Sequence, residues 1–359
     1  MNKQGKRQGS QQGVALITAM VITTIAVTIA ASLVYRQQIA IHLTSNIGAL
    51  EQAYQYTLGI EDWAGIILKE DLTQNDTDSC DDAWATIIPP IPIPGGQMRG
   101  RLYDLQALLN INNVMGDKNK RGEQVENKSA VKRLQRVLAN VVIGSSADPL
   151  ELSDAILDWI DEDNKDRSSL AESSYYKSLT PAYLAANGRI TSLSEIRTIK
   201  GFDEIITNED EQKEQEILYK KIVPYLAALP SNKTSINVNT APREVLLSIK
   251  GITEQHINNI LEDRKGGAFE TVTDFVTSVG GGTNTNPIEQ QGLDVRSSYF
   301  LLKGTIQINN VRLFINSVLF RDESKKQVRV IQREFNEISQ DEIIDTCKSD
   351  TSDINNITP

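Results

Sequence analysis

Asp158, Asp161, Asp163, Asp166 and Glu172 fall within the fifteen residues DWIDEDNKDRSSLAE, directly after an apolar helical run. Several hard oxygen donors gathered on one loop suit a calcium ion, which takes six to eight oxygens in a flexible shell. Asp161, Asp163 and Glu172 even match positions 1, 3 and 12 of an EF-hand loop. Lys165 stands at position 5, however, and Asp166 replaces the glycine of position 6, so an EF-hand is rejected. On composition alone a solvated acidic loop fits this stretch equally well.

A second segment with recognisable chemistry is SINVNTAPREVLLSIKGITEQHINNILEDRKGGAFETVTDF, residues 235–275. Its order of helix, Lys250-Gly251 turn, helix, GGAF turn and further helix resembles a helix-hairpin-helix. Such a hairpin cradles a phosphate with backbone N–H groups, which requires close backbone approach and a favourable field. Here the turn reads Gly251-Ile252-Thr253 without a second glycine, and Glu254, Glu262 and Asp263 surround it with negative charge. A structural or protein-contact role is therefore favoured over DNA binding. The stretch SLSEIRTIKGFDEI around Gly201 reads as part of a second such unit.

Other reactive residues are few. His42 and His256 are the only histidines, and Cys80 and Cys347 the only cysteines, with no CxxC spacing. No nucleophile–base arrangement and no zinc site can be assembled from them, so no enzyme activity is expected. The two cysteines could pair in an oxidising compartment or remain thiols; spacing does not decide it. The net charge of −10 becomes −13 once the leader cations Lys3, Lys6 and Arg7 are set aside. That field repels phosphates and argues against broad nucleic-acid binding.

The elements that must carry these residues begin with an anchor. After the polar leader MNKQGKRQGSQQG, the segment Val14–Tyr35 runs for twenty-two residues without a charge, roughly 33 Å as a helix and enough to span a bilayer core. The basic leader should stay cytoplasmic and the bulk of the chain should lie across the membrane. Three readings compete: a signal peptide cut near Ala30-Ala31-Ser32, a plain signal anchor, and a pilin-like leader cut after Gly13. The helix should continue to Leu72, with Leu43, Ile47, Leu50, Tyr54, Leu58 and Trp63 forming an amphipathic stripe that packs on a domain.

Beyond it, Pro89, Pro90, Pro92 and Pro94 with Gly95-Gly96 predict an extended or turning segment, and Gln97–Leu109 begins as a strand. From Asn110 the texture is helical: Ala130–Ile143, Leu150–Ile160, Thr191–Ile199, Glu209–Ala228, Ala241–Ile249, Thr253–Asp263 and Val272–Val279. From Val295 the segments FLLKGTIQI, VRLFINSVLF and QVRVIQREF alternate as an antiparallel meander. The acidic, polar segment 336–359 is expected to be disordered. The pattern is α+β, one domain interrupted by a helical insertion.

Taken together, several segments resemble the type II secretion system protein K family. They are Gly13 before Val14-Ala15-Leu16-Ile17, then ALLNINNV, AILDWIDED followed by AESSYY, PAYLAANGRITSLSEIRTIKGF, SINVNTAPREVL, and DVRSSYF before the final strands. They span most of residues 13–335 in order. The resemblance implies a type IV pilin-like fold, its long N-terminal transmembrane helix packed on an antiparallel sheet, with a large inserted all-α domain of two SAM-like parts. The implied division is a prepilin leader (1–13), transmembrane helix (14–36), pilin-like helix and first strands (37–109), inserted domain (110–294, its parts 110–229 and 230–294), C-terminal strands (295–335) and tail (336–359).

The resemblance further implies a non-enzymatic minor pseudopilin that caps or initiates the pseudopilus driving folded proteins across the outer membrane. It implies cleavage between Gly13 and Val14 by prepilin peptidase, with methylation of the new N-terminus. The chain would sit in the bacterial inner membrane as a single-pass protein with its main domain in the periplasm. Its partners would be minor pseudopilins I and J, with H beneath, and no nucleic acid. A structural Ca²⁺ ligand role carries onto Asp161, Asp163 and Glu172, although Leu170-Ala171-Glu172-Ser173 replaces the family's Gly-Ala-Glu-Asp and lacks one acid. Counting from Val14, the fifth residue is Thr18 where most pilins carry glutamate. A subunit with none ahead of it has no partner amine for that carboxylate. The alternative, from another class, is a membrane-anchored helix-hairpin-helix DNA-binding protein of a competence-like system.

Overall fold

A computed structural model describes residues 11–142, 147–203, 205–206, 216–283, 286–336 and 344–347. Helix α1 (Gln11–Gln74) runs unbroken for 64 residues. Nothing in Val14–Gln74 stops it: the stretch lacks proline, and its N-terminal window has a mean hydropathy of 2.4 with no part of it buried. Hydroxyls in this apolar part bond back to their own helix, as Thr18 Oγ1 does to Val14 O and Ala15 O, both at 3.0 Å. Thr23, Thr24 and Thr28 do the same, so none of these hydroxyls is left unpaired on the apolar surface of the helix. The leader residues 1–10 lie outside the described residues.

The sheet holds β1 (Ile91–Ile93), β2 (Gly96–Asp104), β3 (Tyr299–Ile308), β4 (Val311–Asp322) and β5 (Gln327–Glu334), in that spatial order. Every neighbour is antiparallel, from Ile91 opposite Met98 to Asp322 opposite Gln327. The C-terminal meander thus forms where alternation placed it. The proline-rich segment supplies a short edge strand, which suits residues that lack an N–H. Residues 105–298 leave from the end of β2 and return at the start of β3, although those two strands are paired neighbours.

The second half of α1 lies on one face of this sheet, through a face of the helix other than the one its large apolar residues suggest. Ala49, Ala53, Thr57, Ile60, Ala64 and Leu68 are buried, whereas Leu43, Ile47, Leu50 and Tyr54 of the expected stripe are exposed. Its last members Leu58 and Trp63 are half-buried, and Trp63 packs on the core as expected. Small residues win the contact because they let the helix axis come close to the strands. Ile60 fills a notch made by the cross-strand pair Gly100 and Gly304; a Cβ on Gly100 would fall 2.5 Å from Ile60 Cδ1. Leu102, Phe300, Leu302 and Leu319 complete the core there, and Ile306, Ile308 and Ile315 complete it higher up. Glu61, buried on the same helix, takes both Nε and Nη2 of Arg333 on β5 at 2.7 and 2.8 Å.

The expected disorder from residue 336 onward is corrected at residues 344–347. Cys347 forms a disulfide with Cys80, 267 residues away. Asp345 makes a two-pronged ion pair with Arg101, both contacts at 2.6 Å. Residues 337–343 and 348–359 lie outside the described residues. The bridge also answers the open question of the cysteines.

Between β2 and β3 stand α2 (Lys128–Val141), α3 (Pro149–Ile160), α4 (Ser173–Lys177), α5 (Leu218–Ile222), α6 (Arg243–Leu247), α7 (Glu254–Gly266) and α8 (Val272–Ser278). They share one core that includes Leu134, Ile156, Tyr176, Phe202, Leu246 and Phe275. The long helix expected over Glu209–Ala228 is corrected to the five-residue α5. Pro224 follows it, and Leu226-Ala227 instead pairs in parallel with Leu109-Asn110. Residues 207–215 lie outside the described residues.

Candidate calcium site and assembly surface

Helix α3 sets up the acidic cluster. Asp148 caps its N-terminus by accepting from Leu150 N at 2.9 Å, with Pro149 at the first helical position. The helix stops at Asp161, and the loop returns so that Glu172 caps α4. The return brings Asp158, Asp161 and Glu172, all buried, to within 4.8 Å of one another through one carboxylate oxygen each. Asp163 is not part of this trio. It points outward, accepts from Lys165 N at 2.8 Å and is half exposed. Asp158 stands in its place, one helical turn before Asp161, and Asp166 is exposed.

Among the described residues, Arg167 is the cation that pairs with these acids. Arg167 Nη1 reaches Asp158 Oδ1 at 2.7 Å and also bonds Asp161, while Nη2 reaches Glu126 Oε1 at 2.9 Å. Asp158 is fully satisfied, since its Oδ2 also accepts from Ser169 Oγ at 3.0 Å and Ala171 N at 3.3 Å. Asp161 Oδ1 and Glu172 Oε1 are buried and accept nothing. Burial, then the nearby charges of Asp158 and Asp161, push the Glu172 carboxyl up to about 7. Burial likewise raises Asp161 despite Arg167 beside it. Two orphaned oxygens, only oxygen donors and an excess of negative charge are what a hard divalent cation requires. The donor set fits calcium.

The hairpin around Gly251 does different work. Gly251 takes φ +93°, and its Cα side is covered by Pro287 and Ile288; an added Cβ would stand 3.0 Å from Ile288 Cα and from Pro287 O. Glu289 N donates to Lys250 O at 3.0 Å, which closes this face with the chain's own backbone. The close approach that glycine permits is therefore used by residues 287–289. Gly201, at φ +89°, packs in the same manner against Leu152. His256 accepts from Thr253 N at 3.3 Å at the start of α7, while His42 lies on the exposed surface of α1.

The asparagines of ALLNINNV and SINVNTAPREVL, to which the sequence assigned no role, prove to be fasteners. Asn112 Nδ2 donates to Ile190 O and Leu229 O at 2.8 and 2.9 Å, and its Oδ1 accepts from Ile190 N at 2.9 Å. Asn237 Nδ2 donates to Asp78 O, Asp104 Oδ2 and Ser297 Oγ at 3.0, 3.0 and 3.1 Å. Asp104 collects Thr240 Oγ1 at 2.6 Å, Ser297 Oγ at 2.7 Å and Gln106 N at 2.8 Å. Through this buried knot SINVNTAPREVL ties the helical body to both strands it hangs from. Polar residues in an apolar motif were the available signal.

Fold and site together define a structural subunit: one apolar helix long enough to span a membrane, a sheet packed on its second half, and a helical body with an acidic centre. Residues 107–231 and 236–296 match the family description "Type II secretion system (T2SS), protein K". Type II secretion system protein K of Pseudomonas aeruginosa is 30% identical over 317 residues, 85% of this chain and 87% of that protein. The Aeromonas hydrophila protein of the same description is 28% identical over 302 residues, 82% of this chain and 88% of that one. The crystal structure of the GspK-GspI-GspJ complex from the enterotoxigenic Escherichia coli type 2 secretion system contains a chain of similar fold. That chain gives a TM-score of 0.63 at 22% identity, covering 82% of this chain and 99% of its own. The chain belongs to the type II secretion system protein K family. It is a minor pseudopilin, a structural component of the secretion machinery and not an enzyme.

Proposed function

We propose that this chain caps or initiates the pseudopilus, anchored in the inner membrane by Val14–Tyr35 with its main domain in the periplasm. The observation that carries this reading is the exposed apolar stripe Leu43, Ile47, Leu50 and Tyr54, which continues the bare apolar surface of the anchor. A helix that leaves several large apolar residues outward in one continuous stripe has a surface made for other helices. Minor pseudopilins I and J fit it, with H beneath; GspI and GspJ accompany the protein of similar fold from Escherichia coli.

The fold reads as pilin-like, with the helical body as an insertion of two SAM-like parts over 110–294, divided near residue 229. So large a body beside the filament axis obstructs continuous stacking of copies, and suits a single terminal subunit. Thr18 supports the same place, because its hydroxyl is satisfied within its own helix and needs no partner ahead. Prepilin peptidase cuts between Gly13 and Val14 and the new N-terminus is methylated. Calcium, held by Asp158, Asp161 and Glu172, stiffens the loop between α3 and α4. Asp163, exposed and turned away, completes the set only through water. The acidic surface and the covered Gly251 hairpin leave no surface for nucleic acid in this reading.

The test is co-purification of the full chain from detergent-solubilised membranes, for wild type and for Ile47→Arg/Leu50→Arg. Wild type should bring down proteins I and J and begin at Val14 by intact mass. The variant, altered only at exposed positions, should keep its processing and lose I and J. Retention of both partners by the variant, or a mature chain that begins elsewhere, overturns the reading.

A further inference from the structure

A second acidic centre lies far from the first, at the C-terminal end of α1. Asp71 stands in the last turn of the helix, and Asp78 and Asp82 follow in the loop behind it. One carboxylate oxygen from each lies within 4.8 Å of the others. Arg321 on β4, itself buried, engages Asp71 Oδ2 at 2.9 Å and bonds Asp78 Oδ2. Three anions thus share one cation. The end of α1 worsens the excess, since the helix terminus carries a partial negative charge and α1 has no basic residue in its last turn.

An orphaned atom adds a second observation. Asp78 is 1% exposed; its Oδ2 accepts from Ser297 N at 2.7 Å and from Arg321, while its Oδ1 has no hydrogen-bond partner. An anionic oxygen removed from water without a donor is costly unless something positive meets it. On the open side, Asn75 Nδ2 bridges Asp71 Oδ1 at 2.9 Å and Asp82 Oδ1 at 3.0 Å. That amide sits where a cation would sit, and turning it about its own axis would present an oxygen in place of the nitrogen.

We propose that Asp71, Asp78 and Asp82, with the Asn75 amide oxygen, form a second divalent-cation site that takes Ca²⁺. The donors are all oxygens, which disfavours zinc and copper. One oxygen from each acid lies within 4.8 Å of the others, close enough for one ion with Ca–O distances of ~2.3–2.6 Å to touch all three, and a mixed carboxylate–amide shell suits the flexible coordination of calcium. Asp82, the half-buried member, opens the site to solvent. An ion here fastens the end of the anchor helix to the loop that carries Cys80 and, through Asp78 and Ser297, to the start of β3.

Calcium alone is the probe, on the full chain in detergent, with bound ions counted by native mass spectrometry and affinities read by calorimetry. Wild type should hold two ions, Asp82→Asn one, and Glu172→Gln one at the other centre. Asn75→Asp adds a ligand charge and should tighten the Asp82-dependent ion several-fold, a gain that misfolding does not produce. Wild type and Asp82→Asn with the same ion count and affinity, or no gain from Asn75→Asp, overturns the proposal and leaves Arg321 as the cluster's only cation. One ion in wild type that survives Glu172→Gln but not Asp82→Asn supports this site and overturns the first. No ion in wild type overturns both.

Discussion

The buried knot around Asp104 and the acidic trio around Asp158 are both polar centres inside the helical body's framework, yet they differ in completion. At Asp104 the two carboxylate oxygens accept from Gln106, Thr240, Ser297 and Asn237. At the trio, Asp161 Oδ1 and Glu172 Oε1 accept nothing. A completed network fixes geometry by itself, whereas an incomplete one has room for a ligand of opposite charge. The knot is closed on itself and the trio is not.

The comparison is broken most directly by one variant at each centre. Asn237→Ala removes a buried amide that serves three acceptors and should cost about 2–4 kcal/mol, with no recovery on adding calcium. Arg167→Ala leaves the trio without its counter-charge and should cost a similar 2–4 kcal/mol in chelator. Calcium should then restore most of that loss, because the ion replaces the guanidinium. Denaturant melts with and without calcium decide the matter; rescue of Asn237→Ala, or none for Arg167→Ala, would erase the distinction.

A smaller effect sharpens it further. Glu172 titrates near 7 in the folded, metal-free chain, above its ordinary 4.5, so between those values the folded state holds the extra proton. Its ionisation therefore lowers stability as pH rises through that window in chelator. Calcium must displace the proton, so affinity at this centre should fall by up to about tenfold per pH unit below 7. Calorimetry of wild type at pH 6 and pH 8 measures this, and in chelator Glu172→Gln should flatten the fall of stability with pH. A slope that the variant retains would assign the proton elsewhere.

The smallest expected effect lies in the membrane. Thr18→Glu should leave secretion nearly intact if no subunit stands ahead of this one. Strict loss of tip assembly in a secretion assay would place a neighbour there.

The legible parts of the fold were those with a local period. The meander from Tyr299 to Glu334 announces itself because exposure alternates along its strands, between exposed and half-buried residues in Gln327–Glu334 and between half-buried and buried ones in most of Tyr299–Ile308. The uninterrupted α1 follows from composition alone. The packing face of α1 was not legible, because alanine is equally at home inside or outside and only the Gly100–Gly304 notch decides which side fits. Asp161 and Glu172 were readable as acids on a loop. Asp158 was read among the acids of this stretch but not as a ligand, because its place inside the apolar run AILDWI, among buried Ile156, Leu157 and Trp159, was not weighed as a sign of a buried carboxylate. Arg167 was unreadable as their partner, since only the loop's return brings it back. The role of Asn237 depends on residues more than 130 positions away, and no local pattern encodes that.

The route of the chain through the sheet carries an entropic cost of its own. β2 and β3 pair along their whole length, yet residues 105–298 separate them. Closing a flexible loop of that size costs about 3 kcal/mol more than closing a tight hairpin of a few residues. Folding of the helical body removes that penalty by bringing Asn237 beside Asp104 and Ser297. The body therefore does the work of a turn: it holds the ends of β2 and β3 together as a hairpin loop would. The face on which α1 lies thus depends on a part of the chain that α1 itself does not supply.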